Sequence, residues 1–229
     1  MFSIRQPRLI YWDFDGVIKE SVEVKSTAFE RLFQSHGSRI MRRVRAHHEA
    51  NGGMSRFEKI PRYLEWAGNE PTPELVDAYC RQFALLARQA VIDAPWVPGA
   101  EAFLRGNPYA QSFVLVTATP KTEIEDIVDR MNLRSCFTSI YGAPATKSDS
   151  IRVNLAERQI DAQQCLMIGD ALADLHAAQA NRVPFLLRRH RTNRQVFAHY
   201  DGDSVEDFAG LVDDCGTASR SDLGRSGAA

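Results

Sequence analysis

The chain has 229 residues, 44% of them hydrophobic, and its 28 Lys and Arg nearly balance 29 Asp and Glu. That length suits one large domain or a core carrying an inserted smaller one, and the charge balance points to neither nucleic acid nor a membrane surface as partner. No apolar stretch approaches the roughly 18 residues of a spanning helix, and the opening Met1-Phe2-Ser3-Ile4-Arg5-Gln6-Pro7 lacks the apolar core of a signal peptide, so a cytoplasmic protein is expected.

The first element is Leu9-Ile10-Tyr11-Trp12-Asp13-Phe14-Asp15-Gly16-Val17, an apolar run ending in two carboxylates one residue apart and a glycine. It reads as a buried strand that delivers charge to its C-terminal edge, where ligands bind in open α/β sheets. On a strand Asp13 and Asp15 share one face, because successive side chains alternate. Two anions so close call for a counter-charge, and a hard divalent cation such as Mg²⁺ is the usual one. Asp-Phe-Asp-Gly is also common turn composition.

From about residue 20 to 94, helix-like stretches follow one another with no convincing strand between them. Phe29, Leu32 and Phe33 mark one amphipathic face ending near Gly37; Ile60, Tyr63 and Leu64, then Leu75, Tyr79, Phe83 and Leu86, mark others. This reads as an all-α insertion over residues 19–94, placed after the first strand so that it overhangs the carboxylate edge as a lid would. Within it, Asn51-Gly52-Gly53-Met54-Ser55-Arg56 combines glycines, which let backbone approach a ligand, with an arginine whose planar fork suits a carboxylate or phosphate. A helix–helix turn with an exposed arginine fits the same residues. His47 and His48 are adjacent on a helix and point about 100° apart, so they are read as polar residues of the insertion rather than as a metal pair. Lys19, Glu20 and Lys25 follow the first strand closely enough to be candidate substrate contacts, while Arg42, Arg43 and Arg45 read as a solvated face.

Strands resume at 112–117, 139–142, Cys165–Gly169 and 183–187, as short continuous apolar runs of the kind found in parallel sheets covered on both faces. Between them Ile124, Ile127, Val128 and Met131 recur at helix spacing, with Thr119-Pro120 as N-cap and first-turn proline. Residues 170–179 are Ala-rich and helix-favouring. The second acidic group lies here: Gly169-Asp170, with Asp174 four residues on, follows the run ending at Ile168. Two strands that each end in carboxylates can build one metal site. The alternation of strand and helix predicts an α/β fold with a parallel sheet, its core formed by 1–18 and 95–215. The tail 216–229 is Gly, Ser and Ala with scattered charge and is expected to be disordered. Cys80, Cys136, Cys165 and Cys215 form no Cys-x-x-Cys pair and are read as buried or incidental thiols.

Four pieces line up in order: Asp13-Phe14-Asp15-Gly16-Val17, Thr117 at a strand end, Lys147 before a helix, and Gly169-Asp170 with Asp174. On these the chain resembles the haloacid dehalogenase (HAD) superfamily, in the phosphatase and phosphomutase branch that carries a helical cap after the first strand. The resemblance implies that Asp13 is a nucleophile forming an aspartyl-phosphate, and that Asp15 is the general acid and base. Members that cleave carbon–halogen bonds have a different residue at that position, so Asp15 implies phosphoryl transfer. It implies Mg²⁺ held by Asp13, Asp170 and the backbone carbonyl of Asp15, with Asp174 orienting a metal-bound water or Lys147. Thr117 and the amide of Ala118 would meet the phosphoryl oxygens; many relatives carry Asn where this chain has Ala118. Lys147 would neutralise charge shared by Asp13 and the phosphoryl group. Gly53-Met54-Ser55-Arg56 resembles the substrate-specificity loop of capped relatives, so Gly53, Ser55 and Arg56 are expected at the far end of the substrate.

The expectation is therefore a three-layer α/β/α Rossmann-like core with an inserted all-α cap, monomeric or homodimeric. It would act as a Mg²⁺-dependent phosphatase on a small phosphate ester, a sugar phosphate or a phosphorylated hydroxy acid. A closing cap excludes protein substrates. A phosphomutase of the β-phosphoglucomutase type would use the same motifs but must bind phosphate at both ends. A noncatalytic module binding a phosphometabolite would gain nothing from Asp13 held beside Asp15.

Overall fold

Residues 4–213 are described by the computed structural model, so the expected tail at 216–229 and Cys215 lie outside the described residues. The chain enters through β1 (Leu9–Trp12) and then forms the helices α1 (Val22–Leu32), α2 (Ser38–Ala50), α3 (Arg56–Trp66) and α4 (Pro73–Asp93). After α5 (Ala100–Gly106), strands and helices alternate as β2 (Ser112–Pro120), α6 (Lys121–Arg130), β3 (Ser139–Ala143), α7 (Lys147–Arg158), β4 (Cys165–Gly169), α8 (Leu172–Ala180) and β5 (Phe185–Arg188). A two-residue β6 (Ser204–Val205) and α9 (Ala209–Asp213) follow.

The strands form one parallel six-stranded sheet in the order β3-β2-β1-β4-β5-β6. Central β1 has Trp12 in register with Leu115 on one side and Ile168 on the other. Its alternating side chains feed two cores. Ile10 and Trp12 pack with Phe103, Phe113, Ile124 and Phe208, whereas Leu9 and Tyr11 pack with Val116, Ile151, Met167 and Ala178. Burying each large side chain contributes about 1.5–3 kcal/mol, so both faces of β1 are apolar and charge is left to the ends of the strand. The α1–α4 helices have a separate core around Phe29, Phe33, Ile60, Tyr63 and Phe83. Two connections join them to the sheet. They pair with each other, Glu20 N donating to the Pro95 carbonyl at 2.8 Å and Val97 N to that of Ile18 at 3.0 Å.

Several local expectations are corrected. β1 ends at Trp12, so Asp13 and Asp15 stand in the loop beyond it rather than on one strand face; the Phe14 carbonyl, accepting from Ile18 N and Lys19 N, turns the chain there. β2 runs through Thr117 to Pro120 with a register shift after Val116, and the N-cap of α6 is Pro120, not Thr119. The last long strand begins at Phe185 rather than Val183, because Pro184 has no N–H and gives the ladder only its carbonyl, to Met167 N. β6 is too short to show any periodicity. Lys19, a candidate substrate contact, lies over the Trp96 ring with Nζ 4.6 Å from its centroid, and Glu20 is engaged by Arg188.

Candidate active site

The loops after β1 and β4, the end of β2 and the start of α7 deliver their polar side chains to one edge of the sheet. Asp13 N still donates to the Ile168 carbonyl at 3.0 Å, which fixes the backbone at the first carboxylate. Asp13 Oδ1 lies 2.8 Å from Lys147 Nζ, and the same ammonium is 2.5 Å from Asp174 Oδ1. Lys147 is the first residue of α7, placed by Thr146, whose hydroxyl caps the helix by accepting from Asp149 N. Asp174 is fully buried in the first turn of α8, where its Oδ2 accepts from Ala171 N at 3.1 Å. Gly169 permits this approach, since a Cβ there would come within 2.2 Å of the Asp174 Cβ.

Asp170 is oriented from the segment after β5. His190 Nε2 is 2.8 Å from Asp170 Oδ2, Thr192 Oγ1 is 2.8 Å from His190 Nδ1, and Asn193 Nδ2 donates to the Asp170 carbonyl at 2.8 Å. Gly16, at φ 77°, lies so close that a Cβ would meet Asp170 Oδ2 at 2.2 Å.

Asp15 has a different set of partners. Lys25 Nζ, from α1, donates to its Oδ2 at 2.5 Å, Ser21 Oγ to its Oδ1 at 2.6 Å, and Thr119 Oγ1 accepts from Lys25 at 2.8 Å. Lys25, a candidate substrate contact by sequence, is thus the counter-ion of Asp15.

Charge separates the two carboxylates. Burial pushes Asp13 up to about 7 against the pull of Lys147, with Asp174 and Asp15 adding to the rise. Burial also raises Asp170 and Asp174. Burial opposes the charged form of Asp15 as well, but Lys25 and the Ser21 hydroxyl outweigh it and hold that carboxyl below its ordinary range. Lys147 is driven the other way: burial disfavours its charge, and Asp13 and Asp174 more than restore it. One ammonium therefore serves three buried carboxylates. Ligand oxygens of Asp13, Asp170 and Asp174 lie within 4.8 Å of one another, a hard-oxygen set with a surplus of negative charge that suits a divalent cation such as Mg²⁺. Both Asp174 oxygens are already hydrogen-bonded, which leaves Asp13 and Asp170 as the ones open to an ion and Asp174 as the partner of Lys147. The Asp15 side chain is outside this cluster.

These groups open into a cleft between the sheet edge and the helical insertion, part of it open to solvent. Thr117 and Ala118 line it on the core side, with the Thr117 hydroxyl accepting from Thr119 N at 3.2 Å. Gly53 lines it on the helical side at φ 75°, where a Cβ would stand 2.9 Å from the Ala173 Cβ and 3.6 Å from Lys147 Nζ.

Two expected substrate contacts are placed otherwise. Ser55 does not line the cleft; it is the N-cap of α3, its hydroxyl accepting from Phe57 N while Glu58 returns a bond to Ser55 N, so helix capping occupies it. Arg56 does line the cleft, but its fork is held by Glu123 of α6 at 2.9 and 2.6 Å and its face lies over Phe83. His47 and His48 point apart as read from sequence, His47 to the Tyr63 hydroxyl and His48 to Lys59. Sequence reading missed Ser21, Thr119, Lys59, Glu123 and His190. Only the polar run His190-Arg191-Thr192-Asn193, directly after an apolar strand, carried a local signal.

A model of the haloacid dehalogenase-like hydrolases matches residues 7–181. Over 227 aligned residues the chain is 22% identical to a phosphoglycolate phosphatase of Pseudomonas savastanoi pv. phaseolicola, covering 94% of this chain and 82% of that protein. Among solved structures it is similar to β-phosphoglucomutase from Clostridium difficile, with a TM-score of 0.71, 18% identity and coverage of 90% of this chain and 93% of that one. It is also similar to CbbY from Rhodobacter sphaeroides in complex with phosphate, with a TM-score of 0.71, 19% identity and coverage of 90% and 96%.

Proposed function

The chain belongs to the haloacid dehalogenase-like hydrolase family; on that premise we propose that it is a phosphoric monoester hydrolase of the phosphatase and phosphomutase branch, a Mg²⁺-dependent phosphatase of small phosphorylated metabolites, with residues 19–94 as the cap over its site. The observation that carries this reading is the different environment of two neighbouring carboxylates: Asp13 faces the Lys147 cluster and Asp15 faces Lys25.

Asp13 is the nucleophile. Its Oδ1 is fixed by Lys147, which leaves Oδ2 to form the bond to phosphorus as the ester oxygen departs. Asp15 gives that oxygen a proton and later takes one from the water that cleaves the aspartyl-phosphate. Lys25 holds Asp15 ionised in this arrangement, so it is set for the water step; before the first step Asp15 must gain a proton and loosen from Lys25. Lys147 offsets charge on the transferring group, and Thr117 with the amide of Ala118 borders the phosphoryl oxygens. Asp13 and Asp170 would hold Mg²⁺, which when bound supplies positive charge to the phosphoryl oxygens. Glycines at 52 and 53 let the cap lie directly over the start of α8 at the edge of the cleft.

The phosphoglycolate phosphatase relative supports a phosphorylated hydroxy acid as substrate. A mutase must also hold a phosphate dianion at the far end of its substrate, and with Arg56 neutralised by Glu123 and Lys25 by Asp15 the cap offers the cleft only the single ammonium of Lys59 among the described residues. Phosphate release from a panel of phosphorylated sugars and hydroxy acids tests the reading. Selective release that falls by about 10⁴-fold in Asp13→Asn supports it; isomerised sugar phosphate without release, or release insensitive to Asp13→Asn, overturns it.

A further inference from the structure

Lys59 sits in the second turn of α3 and is 1% exposed, yet it lines the cleft. Among the described residues no carboxylate lies within ion-pair distance of its ammonium; its one hydrogen-bond partner is His48 Nδ1 at 2.8 Å. The other cations lining the cleft are already matched: Lys147 by Asp13 and Asp174, Lys25 by Asp15, and Arg56 by Glu123. Burial, together with Lys59 and Lys25, keeps His48 well below its ordinary range, so its ring is neutral and Nδ1 accepts from Lys59 and aims it. A buried ammonium without a counter-ion is costly, and an apolar residue would pack here without that cost.

We propose that Lys59 binds a carboxylate at the end of the substrate remote from its phosphate, so that the substrate is a short phosphate ester of a hydroxy acid. This rests on the phosphatase reading above and deepens it. One unmatched ammonium complements a monoanion. A phosphate dianion in the same place would lack a second cation, because Arg56 is committed to Glu123. A neutral sugar would leave Lys59 buried and unmatched. Burial and the neighbouring Lys25 press Lys59 down to about 7, the direction expected of a cation waiting for its anion, and a bound carboxylate reverses it.

The test uses two esters that differ by one charge, 2-phosphoglycolate and its carboxamide, with a sugar bisphosphate as a third, in the presence of Mg²⁺. Wild-type kcat/KM is expected to favour the carboxylate over the carboxamide by about 30-fold or more, mainly through KM. Lys59→Met brings that ratio to within about threefold, and Lys59→Arg keeps part of it. A wild-type ratio within about threefold, a Lys59→Met ratio like that of wild type, or a preference for the bisphosphate overturns the proposal. Should Lys59→Met not fold, titration of each ester into the Asp13→Asn protein decides: tighter binding of the carboxylate by about tenfold supports the proposal and equal binding overturns it. Release from neither ester with that binding preference intact overturns the phosphatase reading and leaves the carboxylate subsite supported.

Discussion

Arg56 and Glu123, 67 residues apart, meet in two parallel hydrogen bonds of 2.9 and 2.6 Å and tie the first residue of α3 to the first turn of α6. Both side chains are nearly buried, at 5% and 10% exposure. The pair therefore fastens the helical insertion to the sheet domain at the mouth of the cleft.

Breaking this pair from one side leaves a buried charge alone. Glu123→Leu or Arg56→Met alone is expected to lower unfolding free energy by about 3–5 kcal/mol, whereas the two together cost much less. Urea denaturation of the two single variants and the double variant checks this; additive losses would show that the two groups are not coupled.

Metal binding should stabilise the fold and depend on Asp170. At Mg²⁺ about 100 times its dissociation constant the gain is about 2.7 kcal/mol, and it should disappear in Asp170→Ala. His190→Ala, which frees Asp170 Oδ2, should weaken Mg²⁺ affinity by about 10–100-fold with the fold retained. Thermal melts across a Mg²⁺ titration read both effects.

Gly16→Ala should act through Asp170. The new methyl would fall 2.2 Å from its Oδ2 at a backbone angle of φ 77°, so the carboxylate must move, in addition to a left-handed strain of about 1–2 kcal/mol. The expected result is a folded protein whose Mg²⁺-induced rise in Tm is largely lost; a wild-type Mg²⁺ response would refute it.

Lys59 should lower stability at neutral pH. The folded value of about 7 lies below the ordinary 10.5, so between these values the unfolded chain carries the proton and the folded protein does not. The penalty is complete below pH 7 and is relieved as pH rises toward 10.5. Lys59→Met should therefore be more stable than wild type by on the order of a few kcal/mol at pH 6 to 7, with the gap closing by about pH 10. Denaturation of both proteins at a series of pH values gives the difference; a gap that widens with pH contradicts the assignment.

The strand–helix succession, the helical insertion and the positions of Asp13, Asp15, Thr117, Lys147, Asp170 and Asp174 were legible because each depends on a short stretch of chain. An apolar run followed by a carboxylate names its own strand end, and a parallel sheet gathers such ends on one edge. Thr119 shows the limit of that reading: Thr-Pro is good capping composition, but β2 carries it past the strand end expected and turns its hydroxyl to Lys25 and Asp15.

What the sequence by itself determined is thus the class of the fold and the residues that meet at the sheet edge, because periodicity and strand ends are local. Only the tertiary structure decided which charges are matched. Arg56 finds Glu123, Lys25 finds Asp15, and Asp170 is held by a histidine 20 residues further on, while Lys59 is left buried with a neutral imidazole. Burial and ion pairing depend on which distant surfaces pack together, and no spacing along the chain encodes that.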